Sequence, residues 1–395
     1  MKSALRLMLP IAAALSIAAC NAASTGNLPS MGGQTQNMPQ WEAKGLAHRA
    51  CPLTQPGYMH CDVLLENRAA GPNIAGWQPA SLESRYNLPW KTKGKGQIVA
   101  IVDAYDNPDV ASDLAVYRKE FGFSKGTFKK FNQTGQQSNY PSNSPGWGVE
   151  IDLDVEMVSA SCPNCTIYLI EANDNSGTNL YLAEEEAVKL KAHIISNSWG
   201  GGGGSSSGGS FDKPNTLYLA SAGDSGYGEQ DPADYSTVAA VGGTFLSGSG
   251  KSFQEVVWPD SGGGCSVVTK PSWQTDPKCK FRTGNDLAAV AVSAAEYDTD
   301  SQGGWITVDG TSISSPLVAG MYGLAGNAAK LTGGENLWKL SATDKKKFFH
   351  VIKTGNLSKC PASLGGTYLC NAGTKEYGTY SSPNGWGTPN GISAL

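Results

Sequence analysis

The sequence predicts an α/β protein built on a parallel β-sheet with helices on both faces. Three observations carry that prediction. Apolar segments of strand length recur from about residue 96 onward. They lack polar–apolar alternation, so both faces of the sheet must be covered. Segments with helical spacing separate them, which places the connections on the sheet faces through right-handed crossovers.

Residues 96–104 (GQIVAIVDA) form the first continuous apolar strand. Residues 108–121 have helical spacing, with Val110, Leu114 and Tyr117 on one face. Residues 148–159 also read as a helix, with Ile151, Val155 and Val158 as its apolar stripe. A strand at 166–171, a helix at 179–190 and strands at 193–198, 216–222 and 238–243 follow. The strand-like 305–308 leads through a Gly-Thr turn into an apolar helix over 313–324. Glycine-rich surface loops are expected at 200–210 and 247–251.

With 395 residues and a formal charge of −4, the chain has no basic footprint for nucleic acid. Its first 20 residues carry Lys2 and Arg6, an apolar run, and then Ile17-Ala18-Ala19-Cys20. That pattern reads as a signal peptide with a lipobox-like end, so Cys20 is the expected lipidated residue. An ordinary signal peptide ending near a cysteine is the alternative. Residues 21–79 are expected to be a flexible tether followed by an N-terminal extension, and residues 80–395 the main domain. No later apolar run is long enough to span a bilayer. The expected location is therefore the exterior, either secreted or held to the cell envelope by a lipid.

Setting Cys20 aside leaves eight cysteines in four local couples: 51–61, 162–165, 265–279 and 360–370. Nearest-neighbour pairing is the simplest arrangement in an oxidising compartment. Cys162-Pro163-Asn164-Cys165 also has redox or metal spacing, but a second CxxC for zinc is missing.

Three motifs carry chemistry. Ser312, in Gly310-Thr311-Ser312, opens a helix, where unpaired amides and the helix dipole favour developing negative charge. Pro316 is expected in the first turn, where proline is tolerated. Glu150 and Asp154 stand at i and i+4 of the 148–159 helix and share a face. Two carboxylates that close share a proton, and the raised pKa makes a competent base in weak acid. Asp152 and Glu156 point elsewhere and are expected to be solvated. Asp224, in Ser221-Ala222-Gly223-Asp224-Ser225-Gly226, ends an apolar strand. A protonated carboxyl there can donate to an oxyanion, whereas an ionised one would repel it.

Together these motifs resemble the sedolisin (serine-carboxyl peptidase) family. The matching pieces are Glu150-x-x-Leu153-Asp154, Ser196-Asn197-Ser198-Trp199-Gly200, Ser221–Gly226, Gly310-Thr311-Ser312-x-Ser314-x-Pro316 and Gly387-Thr388-Pro389-Asn390-Gly391. The resemblance implies a subtilisin-like fold and a serine-type endopeptidase acting through an acyl-enzyme in acid. By it, Ser312 is the nucleophile, Glu150 the base, Asp154 its partner and Asp224 the oxyanion donor. None of the four histidines, His48, His60, His193 and His350, stands where a subtilisin base would. Asp103 occupies the place of the subtilisin triad aspartate and is expected to be structural or to support the site wall. The resemblance implies a calcium site near the C-terminus, but its aspartate positions fall at Val351 and near Ser381. Calcium requires several oxygen ligands, so a lost or weakened site is expected, and no cofactor for the chemistry. The expected partners are protein or peptide substrates, and the membrane through Cys20. The rival readings are a non-catalytic surface lipoprotein that uses the fold for binding, and an esterase using the same serine.

Overall fold

The apolar run that opens the main domain becomes an interior strand of the largest sheet. A computed structural model describes residues 45–67, 74–123, 126–202 and 209–395. The expected signal peptide, Cys20 and most of the tether lie outside the described residues.

Chain order begins with three short strands of the N-terminal extension: β1 (Ala47–Arg49), β2 (His60–Cys61) and β3 (Leu64–Glu66). A one-proline start opens α1 (Pro79–Arg85). Then come β4 (Ile98–Ala104), α2 (Val110–Glu120), β5 (Phe128–Asn132), α3 (Pro145–Ser161), β6 (Thr166–Ala172) and α4 (Gly177–Lys189). They are followed by β7 (Ile194–Asn197), β8 (Trp199–Gly202), β9 (Leu217–Ser221), β10 (Gln230–Asp231), β11 (Val238–Ser247) and β12 (Gln254–Val257). The last part holds β13 (Cys265–Thr269), β14 (Phe281–Thr283), β15 (Leu287–Val290), β16 (Ala294–Asp298), β17 (Gly304–Asp309) and α5 (Thr311–Ala325).

The main sheet has the order β12-β11-β9-β7-β4-β6-β5, and β15 also pairs with β11. Every pairing in it is parallel except the edge pair β11–β12. Val99 through Val102 are wholly buried, as a strand covered on both faces requires. The expected parallel sheet with helices on both sides is what forms. The edge strand β5 was not expected, because Lys129 and Lys130 break its apolar pattern. Edge strands tolerate such residues.

Helices α3 and α5 run side by side with their N-termini at the same end. Small residues permit the close approach: a side chain on Gly320 would collide with the hydroxyl of Ser161. That register brings Glu150, near the start of α3, level with Ser312, near the start of α5.

Two expectations are corrected. Asp152 and Glu156 are buried, because α3 is enclosed on nearly every face. Asp152 accepts a hydrogen bond from Asn107 Nδ2 at 2.6 Å, and Glu156 from the Tyr297 amide at 3.1 Å. Pro316 lies in the interior of α5, not in its first turn. Its missing N–H leaves the Ser312 carbonyl without its helical donor.

The four local cysteine couples all form disulfides: Cys51–Cys61, Cys162–Cys165, Cys265–Cys279 and Cys360–Cys370. Among the described residues no helix is long and apolar enough to cross a membrane.

Candidate active site

Ser312 stands second in α5, after the glycine that caps it. Gly310 has φ of +134°, a backbone conformation that favours glycine. The start of the helix is pinned to the sheet by its serines. Ser314 donates to the carbonyls of Ala289 and Val290 at 3.1 and 3.0 Å. Ser315 pairs with Ser196 of β7 at 2.9 Å. The nucleophile candidate therefore sits on a fixed frame.

The Ser312 hydroxyl donates to Glu150 Oε2 at 2.8 Å. It also lies 3.3 Å from the carbonyl of Ser198. Ser198 links to the second acid, its hydroxyl donating to Asp154 Oδ1 at 2.7 Å. Ser312, Glu150, Asp154 and Ser198 are all fully buried. Burial raises the Glu150 pKa well above the ordinary carboxylate range, and the neighbouring charges of Asp154 and Asp103 add to the effect. Burial does the same for Asp154, with Asp103 again contributing. Acids so placed hold their protons, and one proton shared within the group spares it mutual repulsion.

Asp103, the last residue but one of β4, stands beside this pair. Burial pushes it up to about 8. Neither of its oxygens has a hydrogen-bond partner, which suits a protonated acid and not an ionised one.

Asp224 follows β9 and reaches the same place from the other side. Its Oδ1 accepts both the amide and the hydroxyl of Thr311, each at 2.8 Å. The Thr311 hydroxyl in turn accepts from the Gly223 amide at 3.0 Å. The second oxygen, Oδ2, has no hydrogen-bond partner and borders the space above Gly310. Burial raises the Asp224 pKa well above normal, reinforced by the charge of Asp62.

The structure thus brings Ser312, Glu150, Asp154 and Asp224 into one locus. It also places there residues that sequence reading left without a role. Ser198 bridges the serine and Asp154. It lies inside a quoted motif, so a signal existed. Asp62, from the N-terminal extension, is fully buried beside Ser312, and only its position after Cys61 marked it. Asp62 is pushed up to about 7 by burial, against the opposing effects of Ser221, Gln230 and Arg49. His60 Nε2 lies 3.6 Å from Asp62 Oδ1. Burial and then Arg49 lower His60 to about 3, so the contact is not ionic above that pH.

The positions expected for calcium lie elsewhere. Val351 offers no side-chain oxygen, and the Ser381 hydroxyl donates to Asn384 Oδ1 at 3.1 Å. Among the described residues one trio of acids, Asp113, Asp152 and Asp298, has ligand atoms within 4.8 Å of one another. Asn107, Thr299 and Ser301 already donate to its members.

Comparison with known proteins bears on the fold that carries this site. The model of the subtilase family, Peptidase_S8, matches residues 133–344. Tripeptidyl-peptidase 1 of Bos taurus is 23% identical over 369 residues, covering 80% of this chain and 63% of the relative. Xanthomonalisin of Xanthomonas sp. (strain T-22) is 33% identical over 153 residues, covering 33% of this chain and 18% of the relative. The chain therefore spans under two thirds of either relative. Among solved structures, a Pseudomonas sedolisin (serine-carboxyl proteinase) complexed with two molecules of pseudo-iodotyrostatin superposes with a TM-score of 0.67. It is 23% identical, with 80% of this chain and 96% of that chain covered. That likeness bears out the subtilisin-like fold expected from the motifs.

Proposed function

The chain belongs to the subtilase family, and within it we propose a serine-carboxyl peptidase that cuts protein or peptide chains in acid. The observation that carries this reading is the 2.8 Å hydrogen bond from the Ser312 hydroxyl to Glu150. Histidine is absent from that contact, and a carboxyl with a raised pKa takes its place.

In this reading Ser312 attacks the peptide carbonyl while Glu150 accepts its proton. Asp154 shares the charge of the pair and keeps Glu150 basic enough to act at low pH. The protonated Oδ2 of Asp224, together with the Ser312 amide, stabilises the tetrahedral oxyanion. Glu150 then returns the proton to the leaving amine, and water hydrolyses the acyl-enzyme. The chemistry needs no cofactor. The calcium site of the resembled family is in this reading lost or weakened, because neither Val351 nor Ser381 supplies the side-chain carboxylate expected there.

The four disulfides fit an exported protein. We place it outside the cytoplasm, anchored through a lipid on Cys20. Loss of labelled fatty acid from a Cys20→Ala variant tests the anchor.

The catalytic reading is tested by digesting a denatured protein at pH ~4, near the ordinary glutamate pKa. The wild-type chain should cleave it, and Ser312→Ala and Glu150→Ala should not. Retained cleavage by either purified variant overturns the assignment. A fluorophosphonate or peptide-aldehyde probe separates the enzyme from a binding-only lipoprotein, since only a reactive Ser312 is labelled or inhibited.

A further inference from the structure

The cleft in front of Ser312 is filled by this chain's own residues 59–65. We propose that this segment lies there as an intramolecular substrate, presenting the Asp62–Val63 peptide bond to Ser312, and that the site selects a short carboxyl side chain before the cut. The proposal rests on the peptidase reading above and names its substrate class.

The backbone pairing is that of a bound peptide. β2 runs antiparallel to β8, with His60 opposite Gly200 and Cys61 opposite Trp199. The Asp62 amide donates to the Ser198 carbonyl at 3.1 Å. On the other edge, the Met59 amide donates to the Asn175 carbonyl at 2.8 Å, and Asn175 Nδ2 donates to the Met59 carbonyl at 2.6 Å. Such strand addition gives affinity through the main chain and leaves specificity to side-chain pockets.

Past the proposed cut the chain stays extended. β3 pairs antiparallel with β17, with Leu64 opposite Asp309 and Leu65 opposite Val308. β17 is the strand that leads to Ser312. The segment is therefore gripped on both sides of the nucleophile.

Between the two grips, the Asp62 carbonyl oxygen accepts the Ser312 amide at 3.2 Å. The same oxygen and Asp224 Oδ2 border the space that a side chain on Gly310 would fill. An amide at a helix start and a protonated acid are the donors a developing oxyanion needs.

The Asp62 side chain enters a closed polar pocket. Its Oδ2 accepts the hydroxyl of Ser221 at 2.6 Å and the side-chain amide of Gln230 at 2.5 Å. Gln230 fills the space beside Gly200, where any side chain would collide with it. Asp62, Val63 and Leu64 are all fully buried. The pocket supplies two donors to a carboxyl side chain and encloses Asp62 completely.

The step balances. Ser312 Oγ forms a bond to the Asp62 carbonyl carbon and passes its proton to Glu150. The Asp62–Val63 bond breaks, and that proton moves to the Val63 nitrogen. Water then cleaves the Asp62 ester, restoring the Ser312 hydroxyl and leaving Asp62 with a free α-carboxyl group.

The test is N-terminal mass spectrometry of the full chain after incubation in acid, run beside a peptide library. The wild type should yield a new terminus at Val63, and Ser312→Ala should remain intact there. Asp62→Asn should still be cut. Asp62→Lys should be cut at least about tenfold more slowly, as should library peptides with lysine before the scissile bond relative to aspartate. If the library is cleaved while the chain stays whole at 62–63, or aspartate gives no preference, this proposal falls and the peptidase reading stands. If neither chain nor library is cleaved, both fall together.

Discussion

Thr311 holds one oxygen of Asp224 with both its amide and its hydroxyl, each at 2.8 Å, and leaves the other oxygen facing the cleft. The held oxygen can only accept, so any proton on Asp224 sits on the free one. That is where an oxyanion donor is needed. An asparagine would fit the same two bonds through its carbonyl and donate through its amide. Asp224→Asn is therefore expected to keep activity in acid within about tenfold of wild type, since one hydrogen-bond donor replaces another. The wild type loses this donor when Asp224 ionises. The variant cannot, so the alkaline limb of its pH profile should move to higher pH. kcat/KM measured across pH checks this, and an unmoved limb would refute the donor role.

Glu150 and Ser312 act as one unit if the proton passes between them. Ser312→Ala should lower kcat/KM at least about 10^4-fold. Glu150→Gln should cost about 10^2- to 10^4-fold, the usual scale of a lost general base. The double variant should be no worse than Ser312→Ala alone, because residues of one catalytic unit are not additive. Additive losses would mean that the 2.8 Å contact is not the route of the proton.

The buried acids set the pH dependence of stability. Burial lifts Asp62 from 3.8 to about 7, Asp103 from 3.8 to about 8 and Glu171 from 4.5 to about 9. Between the lower and upper values the folded chain keeps protons that the unfolded chain has released. Stability must therefore fall as pH rises through that window, and it is greatest below it. The thermal midpoint should drop by at least about 5 °C between pH ~4 and pH ~8, given a few degrees per kcal/mol for a domain of this size. Calorimetry at constant ionic strength measures it. A midpoint that climbs toward neutral pH would show that these acids are ionised in the fold.

Arg282 and Asp286 form a fully buried ion pair at 2.6 Å. Asp286 also accepts the Ala240 amide at 3.0 Å and Trp338 Nε1 at 2.8 Å. It thus ties β11 to the C-terminal part of the chain. Arg282→Met leaves a buried carboxylate facing no cation, and should destabilise the fold by about 3–5 kcal/mol. Arg282→Met with Asp286→Leu should recover part of that loss. Urea unfolding midpoints for the two variants decide the matter.

The strands at 98–104, 166–172, 194–197 and 217–221 were legible because each is apolar on both faces, and a strand buried on both sides has no other pattern. β5 was not legible, because its lysines at 129 and 130 are those of an edge. Asp152 and Glu156 misled because helical spacing gives the direction of a side chain along the helix and not what covers it. α3 is enclosed by neighbours distant in sequence.

By itself the sequence determined the order of the central buried strands and their helices, the local cysteine couples and the chemical types at positions 150, 154, 224 and 312. Those depend on periodicity and short spacings, which act over a few residues. Only the tertiary structure decided that two parallel helices meet closely enough for Glu150 to accept from Ser312. It alone carried Asp62, 250 residues before the serine in sequence, to the Ser312 amide. Contacts of such separation arise from packing and strand pairing across the whole domain, and no local pattern encodes them.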